Sequence, residues 1–219
     1  MLAKRILDIS LSSVLIFLTS PVMLLIALFV KIDSFGPAIF KQTRIGMDRR
    51  RACNGGGTSP FQERRGMDVG GKPFTMYKFR SMVREAEEIL PSLVNLGALP
   101  EPVYKLRDDP RVTRFGKLLR KSSLDELPQL VNVLKGDMSL VGPRPEAQRI
   151  VFLYNEDHRR RLQVRPGLTG LQQIKCRGSK SMQERLNYDL DYIAHRSLLL
   201  DLLILLRTVF IVIQGKGAH

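Results

Sequence analysis

The 219-residue chain has no tryptophan, two cysteines and three histidines. Cys53 and Cys176 lie far apart with no C-x-x-C spacing. That excludes a disulfide framework and a thiolate zinc site, and leaves inert thiols. His158, His195 and His219 are scattered, so no histidine metal cluster is expected. Aromatic residues make up 7%, too few for a platform on which bases stack. No helix-turn-helix, zinc or RNA-binding signature is present. Acidic residues are also short: 21 Asp and Glu face 35 Lys and Arg, a formal net charge of +14. Such a surplus selects anionic partners, namely nucleic acid, lipid headgroups or phosphorylated substrates. Of these, nucleic acid has no motif to support it.

What the chain does have is one long apolar run. Ile9 to Val30 carries no charge, and Lys31 closes it. At about 1.5 Å per helical residue it is long enough for a hydrocarbon core of ~30 Å. It is too long for a signal peptide and lacks a small-residue cleavage site. Ser20-Pro21 sits at its middle, where proline removes a ladder bond. Basic residues flank both ends: Lys4 and Arg5 before, Lys31, Lys41 and Arg44 after. The positive-inside tendency favours keeping both flanks on the cytoplasmic side. A helix-break-helix that enters the membrane and returns satisfies both facts. A kinked spanning helix also tolerates proline, and these residues alone leave the two open. Residues 1–31 are thus a membrane unit, and 32–219 a globular domain.

The chemistry concentrates between Arg120 and Pro145, RKSSLDELPQLVNVLKGDMSLVGPRP. Leu127, Leu130, Val131 and Leu134 recur with helical spacing, and Gly136 ends the helix. Pro128 is tolerated only near a helix start, so Asp125 and Glu126 fall in or just before the first turn. Ser123 and Glu126 have capping-box spacing, which offers a purely structural use for the glutamate. The surrounding charge argues for more. Lys117, Arg120, Lys121 and Arg144 flank the two carboxylates. Prolines on both sides of Arg144 restrict where its guanidinium points, and a planar fork suits phosphate oxygens. A carboxylate among cations is what phosphoryl transfer requires: a nucleophile or metal ligand, and charge to neutralise phosphate.

Further motifs stand in order along the chain: Tyr77-Lys78-Phe79-Arg80-Ser81-Met82, Arg165-Pro166-Gly167-Leu168-Thr169-Gly170, and Asp189, Tyr192, Asp201 and Thr208. Together with SSLDELPQLVNVLKGDMSLVGPRPE they resemble the bacterial sugar transferases, the monotopic phosphoglycosyl transferases. The resemblance covers nearly the whole chain except about residues 49–71. It implies an α+β domain on the cytoplasmic face, interfacial amphipathic helices, and a re-entrant helix bent at Ser20-Pro21. It implies transfer of a sugar 1-phosphate from a UDP-sugar to polyprenol phosphate, with UMP released and Mg²⁺ as cofactor. Asp125 is the implied nucleophile and Glu126 its partner, the pair holding the metal. The residues themselves do not choose between the two. Asp191 stands where the family commonly has an aromatic residue.

The remaining segments read more simply. Gln42-Thr43-Arg44-Ile45-Gly46-Met47-Asp48 nearly repeats as Gln62-Glu63-Arg64-Arg65-Gly66-Met67-Asp68 around a Gly-rich stretch. Residues 49–71 therefore read as a loop insertion, with a basic lip for headgroups as the alternative. Ala38-Ile39-Phe40 and Phe74 to Phe79 read as strands. Lys78 and Arg80, two apart on a strand, should share a face; that face reads as solvated by itself, and its place in the matched motif implies phosphate or carboxylate contacts. A charged helix from about residue 84 should stop at Pro91, and another should run from Thr113 to Leu119. Asp108-Asp109-Pro110 reads as turn chemistry. Arg159-Arg160-Arg161 reads as a solvated or membrane-facing face. Arg165 to Gly170 should be a rigid turn before a strand with Gln172 and Gln173. Leu198 to Ile213, short and twice charged, should pack on the domain at the bilayer surface.

The expectation is a bacterial inner-membrane enzyme binding a UDP-sugar, polyprenol phosphate and membrane lipid, and no nucleic acid; its oligomeric state is open. One rival is a non-catalytic anchored protein binding anionic lipid or nucleic acid. Another is a glycoside hydrolase using Asp125 and Glu126, but abundant cations suit phosphate better than a sugar oxocarbenium.

Overall fold

The computed structural model describes residues 2–48, 70–93, 106, 108–176 and 181–214. Most of the repeat insertion, Cys53, Pro100, Pro102 and His219 lie outside the described residues.

The apolar run forms α1 (Leu2–Asp33), a single helix. The helix runs on through Ser20-Pro21, with Pro21 inside it. The reason is local. Proline deprives only the Phe17 carbonyl of its partner, and the Ser20 hydroxyl donates to that oxygen at 2.8 Å. One face of α1 packs inward at Asp8, Ser12, Ile26 and Val30, while Phe17 and Leu24 are 79% and 74% exposed. Among the described residues α1 is the one helix long and apolar enough to cross a membrane.

Both ends of α1 are docked on the same domain. Near its start, Lys4 Nζ donates to Asp201 Oδ2 at 2.6 Å and to the Val141 carbonyl at 3.1 Å. Arg5 donates to the Val133 and Leu134 carbonyls. Asp8 Oδ1 accepts from the Leu140 amide and the Ser139 hydroxyl. At its end, Arg80 donates to the carbonyls of Val30, Ser34 and Phe35. Gly36, at φ 125°, turns the chain there and leaves room that a side chain would take from Arg80.

Next come β1 (Ile39–Ile45) and β2 (Pro73–Phe79), an antiparallel pair in which Phe40 faces Lys78. The helix α2 (Ala86–Leu93) continues through Pro91 rather than stopping there. Asp109 accepts from the backbone and side chain of Arg111, the expected turn chemistry. α3 (Arg114–Ser122) begins at the Thr113 cap. A 3₁₀ turn (Leu124–Glu126) and α4 (Gln129–Lys135) follow, with Gly136 left-handed at the end. Asn132 fixes α4 to β2 by accepting from the Tyr77 amide and donating to the Thr75 carbonyl.

A second, parallel pair joins β3 (Ser139–Val141) to β4 (Gly167–Thr169). Between them lie α5 (Gln148–Val151), α6 (Glu156–Arg159) and a 3₁₀ turn (Arg160–Gln163). β4 is the Gly-Leu-Thr of the expected turn, and Gln172 and Gln173 fall in α7 (Leu171–Lys175), not on a strand. Two long helices close the chain, α8 (Met182–His195) and α9 (Leu198–Ile213). α9 turns Asp201 and Ile204 inward and Leu199, Leu206 and Phe210 outward, as a surface-lying apolar helix should. Tyr192 Oη donates to Asp201 at 2.7 Å, and Thr208 meets Thr169 at 2.7 Å. The main core gathers Leu130, Val133, Met138, Leu140, Tyr192 and Ile204. A second cluster places Ile26 and Val30 of α1 against Phe79 and Leu119.

Candidate active site

The site forms where α3 hands the chain to α4. Ser123 takes a left-handed conformation, φ 59°, and its amide donates to the Arg120 carbonyl. That residue reverses the chain and presents Asp125 and Glu126 on the 3₁₀ turn. No side-chain cap forms at Ser123, so the capping-box use of Glu126 is not made. Glu126 Oε1 instead accepts from Arg144 Nη2 at 2.7 Å and Lys78 Nζ at 3.2 Å.

The two carboxylates differ in environment. Burial alone would raise Glu126, but Arg144 and Lys78 outweigh it and hold the carboxyl at about 2. Asp125 is 9% exposed. Burial pushes its carboxyl above the usual range, with the Glu126 charge in the same direction; Lys78, Arg120 and Arg144 oppose. No hydrogen bond reaches the Asp125 carboxylate among the described residues, and neither of its oxygens is both sealed from solvent and unpartnered. It is a buried carboxyl framed by charges, with no hydrogen bond to its oxygens among the described residues.

Cations from three elements surround this pair. Lys78 comes from β2; burial lowers its ammonium and Glu126 opposes. Arg120 comes from α3, its Nε donating to Ser81 Oγ at 2.9 Å. Its terminal nitrogens have no hydrogen-bond partner among the described residues and remain for a ligand. Arg144 comes from the Gly142-to-Pro145 segment and is 40% exposed. Gly142 is required there, because a Cβ would stand 2.5 Å from the Arg165 carbonyl.

Arg80 is not part of the site. It follows the last ladder residue of β2, so strand alternation no longer governs it. It caps the end of α1 instead. Ser20 and Pro21 lie on α1, where they modify one helical turn.

In the triple-arginine run, Arg160 is exposed as expected and Arg161 is not. Arg161 is 6% exposed and pairs with buried Asp189 at 2.8 Å. It donates to Tyr154 Oη at 2.6 Å and to the Arg144 carbonyl at 3.2 Å. Burial raises Asp189 to about 6 despite that partner. Arg44, on β1, reaches the Pro145 carbonyl at 3.4 Å and Glu146 at 3.7 Å. These two arginines hold the backbone on either side of the Arg144–Pro145 bond. Neither role carried a sequence signal: Arg44 reads as a basic flank of the apolar run, and Arg161 as part of a solvated or membrane-facing face.

Among the described residues, no cluster of three or more His, Cys, Asp or Glu side chains could hold a metal. There is no preformed protein cage. Two adjacent carboxylates, one with free oxygens, fit a divalent cation that takes its remaining ligands from water and phosphate.

A family model described as bacterial sugar transferase matches residues 1–215. The UDP-glucose:undecaprenyl-phosphate glucose-1-phosphate transferase of Caulobacter vibrioides is 41% identical over 226 residues, covering 100% of this chain and 72% of its own. The galactosyl transferase CpsE of Streptococcus agalactiae is 38% identical over 219 residues, and the match spans 44% of it. The undecaprenyl-phosphate galactose phosphotransferase of Salmonella typhimurium is 37% identical over 220 residues, 41% of its length. The chain spans less than half the length of the latter two relatives. The match over residues 1–215, joined to the carboxylate pair in its ring of cations, places the chain in the bacterial sugar transferase family.

Proposed function

We propose that this chain transfers a sugar 1-phosphate from a UDP-sugar to polyprenol (undecaprenyl) phosphate, by way of a phospho-sugar carried on Asp125. One observation carries the choice of nucleophile. Glu126 is held by two cations on one oxygen, whereas Asp125 keeps its lone pairs free. An ionised carboxylate needs no base to activate it. Relatives named for glucose and for galactose support the reaction class and leave the sugar open.

In the first step an Asp125 oxygen attacks the phosphorus that bears the sugar. The bond from that phosphorus to the bridging oxygen breaks, and UMP leaves with the electron pair. An acyl phosphate remains on Asp125. In the second step an oxygen of polyprenol phosphate attacks the same phosphorus. The aspartyl carboxylate is released, and the polyprenyl diphosphate sugar forms. Arg120 and Arg144 hold phosphate oxygens as charge redistributes. Glu126 keeps Lys78 and Arg144 in place. Asp125 and Glu126 would hold Mg²⁺, which supplies charge neutralisation to the diphosphate when bound.

The docking of α1 supports a monotopic arrangement. A helix of this length that spanned a bilayer would carry one end ~30 Å away from a domain on the other side. Here Lys4 and Val30 both contact the domain. A carrier lipid and a soluble nucleotide sugar meet only at an interface, which suits a domain on the cytoplasmic face of the inner membrane. The reaction would be the first membrane step of bacterial glycoconjugate assembly.

The test is mass spectrometry of enzyme given UDP-sugar without acceptor. The peptide holding Asp125 should gain the mass of a sugar phosphate, and Asp125→Asn should abolish it. Kinetics should be ping-pong. Adduct formation in Asp125→Asn, or UMP release only after both substrates bind, would refute the covalent route.

A further inference from the structure

Gln42 to Asp48, the first copy of the repeated stretch, brings more than Arg44 to the site. In the antiparallel pair Phe40 stands opposite Lys78, Gln42 opposite Met76 and Arg44 opposite Phe74. Cross-strand partners and alternate residues share a face. Phe40, Gln42 and Arg44 therefore form a row on the side from which Lys78 reaches Glu126. The row fronts the carboxylate site. Arg44 donates to the Pro145 carbonyl; burial lowers its guanidinium, and the charges of Glu146, Arg144, Arg149 and Glu126 act on it as well. Phe40 is 38% exposed, an open phenyl ring beside an ionic site. Gln42 is held in one orientation. Its Oε1 accepts from Arg44 Nε at 3.1 Å and from Nη2 at 2.8 Å. Two guanidinium donors require the amide oxygen there, so the amide nitrogen points away from Arg44. That nitrogen has no hydrogen-bond partner among the described residues and is not sealed from solvent.

We propose that Phe40 and Gln42 seat the base of the donor nucleotide, the phenyl ring stacking on a pyrimidine and the Gln42 amide donating to its 4-oxo group. The proposal rests on the UDP-sugar reading given above and adds the residues that choose uracil. Phe40 lies about 5 Å across the ladder from Lys78, and Gln42 about 7 Å further along the strand. These steps suit a ribose between a diphosphate at the cations and a base on the row. The ring offers a face on which any base stacks, so it does not choose between them. A fixed donor does choose. Uracil carries an acceptor at position 4, where cytosine carries an amino donor. Against cytosine the Gln42 amide nitrogen would meet another donor, and both would lose water without gaining a bond. A prenyl chain could use Phe40 but offers nothing to the amide.

The test is equilibrium binding of UDP and CDP to the full-length protein in detergent, read by calorimetry. Wild type should hold UDP about tenfold more tightly than CDP. Gln42→Glu keeps an acceptor for Arg44 and removes the donor, so it should erase or invert that preference. Phe40→Leu should weaken both nucleotides about tenfold and leave their ratio unchanged. Phe40→Tyr, which keeps a stacking face, should restore both. A Gln42→Glu protein that still prefers UDP, or a Phe40→Leu protein that binds both nucleotides as wild type does, overturns the proposal. So does a Phe40→Leu protein whose one defect is a raised KM for polyprenol phosphate, which would give the ring to the lipid. Wild type that binds UDP and CDP alike yet forms the phospho-sugar adduct refutes this inference and leaves the donor reading standing. Wild type that binds neither nucleotide and forms no adduct overturns both.

Discussion

Glu126→Gln is the most informative single change, because it removes one charge and nearly no volume. In the native site one oxygen, Oε1, meets Lys78 at 3.2 Å and Arg144 at 2.7 Å. The pair moves the Glu126 carboxyl from 4.5 to about 2, which corresponds to roughly 3 kcal/mol. The Lys78 side chain is only 17% exposed, but Arg144 is 40% exposed. Solvent therefore screens part of the Arg144 contribution. Glutamine retains an acceptor oxygen for one cation. A loss of about 2–3 kcal/mol at pH 7 is expected, or roughly 5–10 °C in melting temperature.

The pH dependence isolates the mechanism. The folded Glu126 value lies below the unfolded one, so its stabilisation is fully present above about 4.5. It is lost progressively as pH falls through about 2, below which both states are protonated. Unfolding in denaturant, with wild type and variant compared at neutral pH and near pH 3, reads this directly. The gap between them should narrow on acidification. A gap that stays constant with pH, or is below ~0.5 kcal/mol at pH 7, refutes the assignment of Glu126 as the charge that holds Lys78 and Arg144.

Two further predictions follow from the same contacts. Arg161→Met leaves Asp189 buried without its partner and should cost about 3–5 kcal/mol; the double variant with Asp189→Leu should recover much of that stability but not turnover, because the Arg144 carbonyl still lacks its donor. Cysteines at positions 3 and 34 should both react with a reagent applied from the cytoplasmic side, and labelling of position 3 only from the other side would refute the docking of both helix ends on one domain.

The parts of this fold that were legible in the sequence are those set by local rules. Helical spacing up to Leu134 and the stop at Gly136 marked the body and end of α4, while its start, expected at about residues 124–127, falls at Gln129 after a 3₁₀ turn. Alternation marked β2, while only the start of β1 was read, at Ile39 and Phe40. Asp125, Glu126, Arg120 and Arg144 were picked out by charge in a constrained segment and Lys78 by its place in a matched motif, and the structure brings them together. What was not legible depended on partners distant in the chain. Ser123 and Glu126 have capping-box spacing, but Lys78 is 48 residues away and provides the competing bond. Arg80 followed the strand rule until the ladder ended at Phe79. Arg161 is buried because Asp189, on α8, compensates it, and no local pattern encodes that pair. Proline at position 21 marks a disturbed turn, yet a neighbouring hydroxyl is enough to keep the helix intact.

The same segments that build the proposed site also clasp α1, and this ties the reaction to the membrane helix. Arg80 binds the last carbonyls of α1, and two residues earlier Lys78 reaches Glu126. Leu119 packs with Ile26 and Val30, and the next residue is Arg120. At the other end, Arg5 caps α4, which begins three residues after Glu126. Successive residues on a helix diverge by ~100°, so α3 turns Leu119 to α1, Arg120 to the carboxylates and Lys121 to the outside. Any tilt of α1 therefore moves β2, α3 and α4 together, because Arg80 and Leu119 lie within two residues of Lys78 and Arg120, and Arg5 holds the far end of α4. A phosphate at the head of a long lipid can then meet Asp125 without leaving the interface, which is the condition the proposed second step requires.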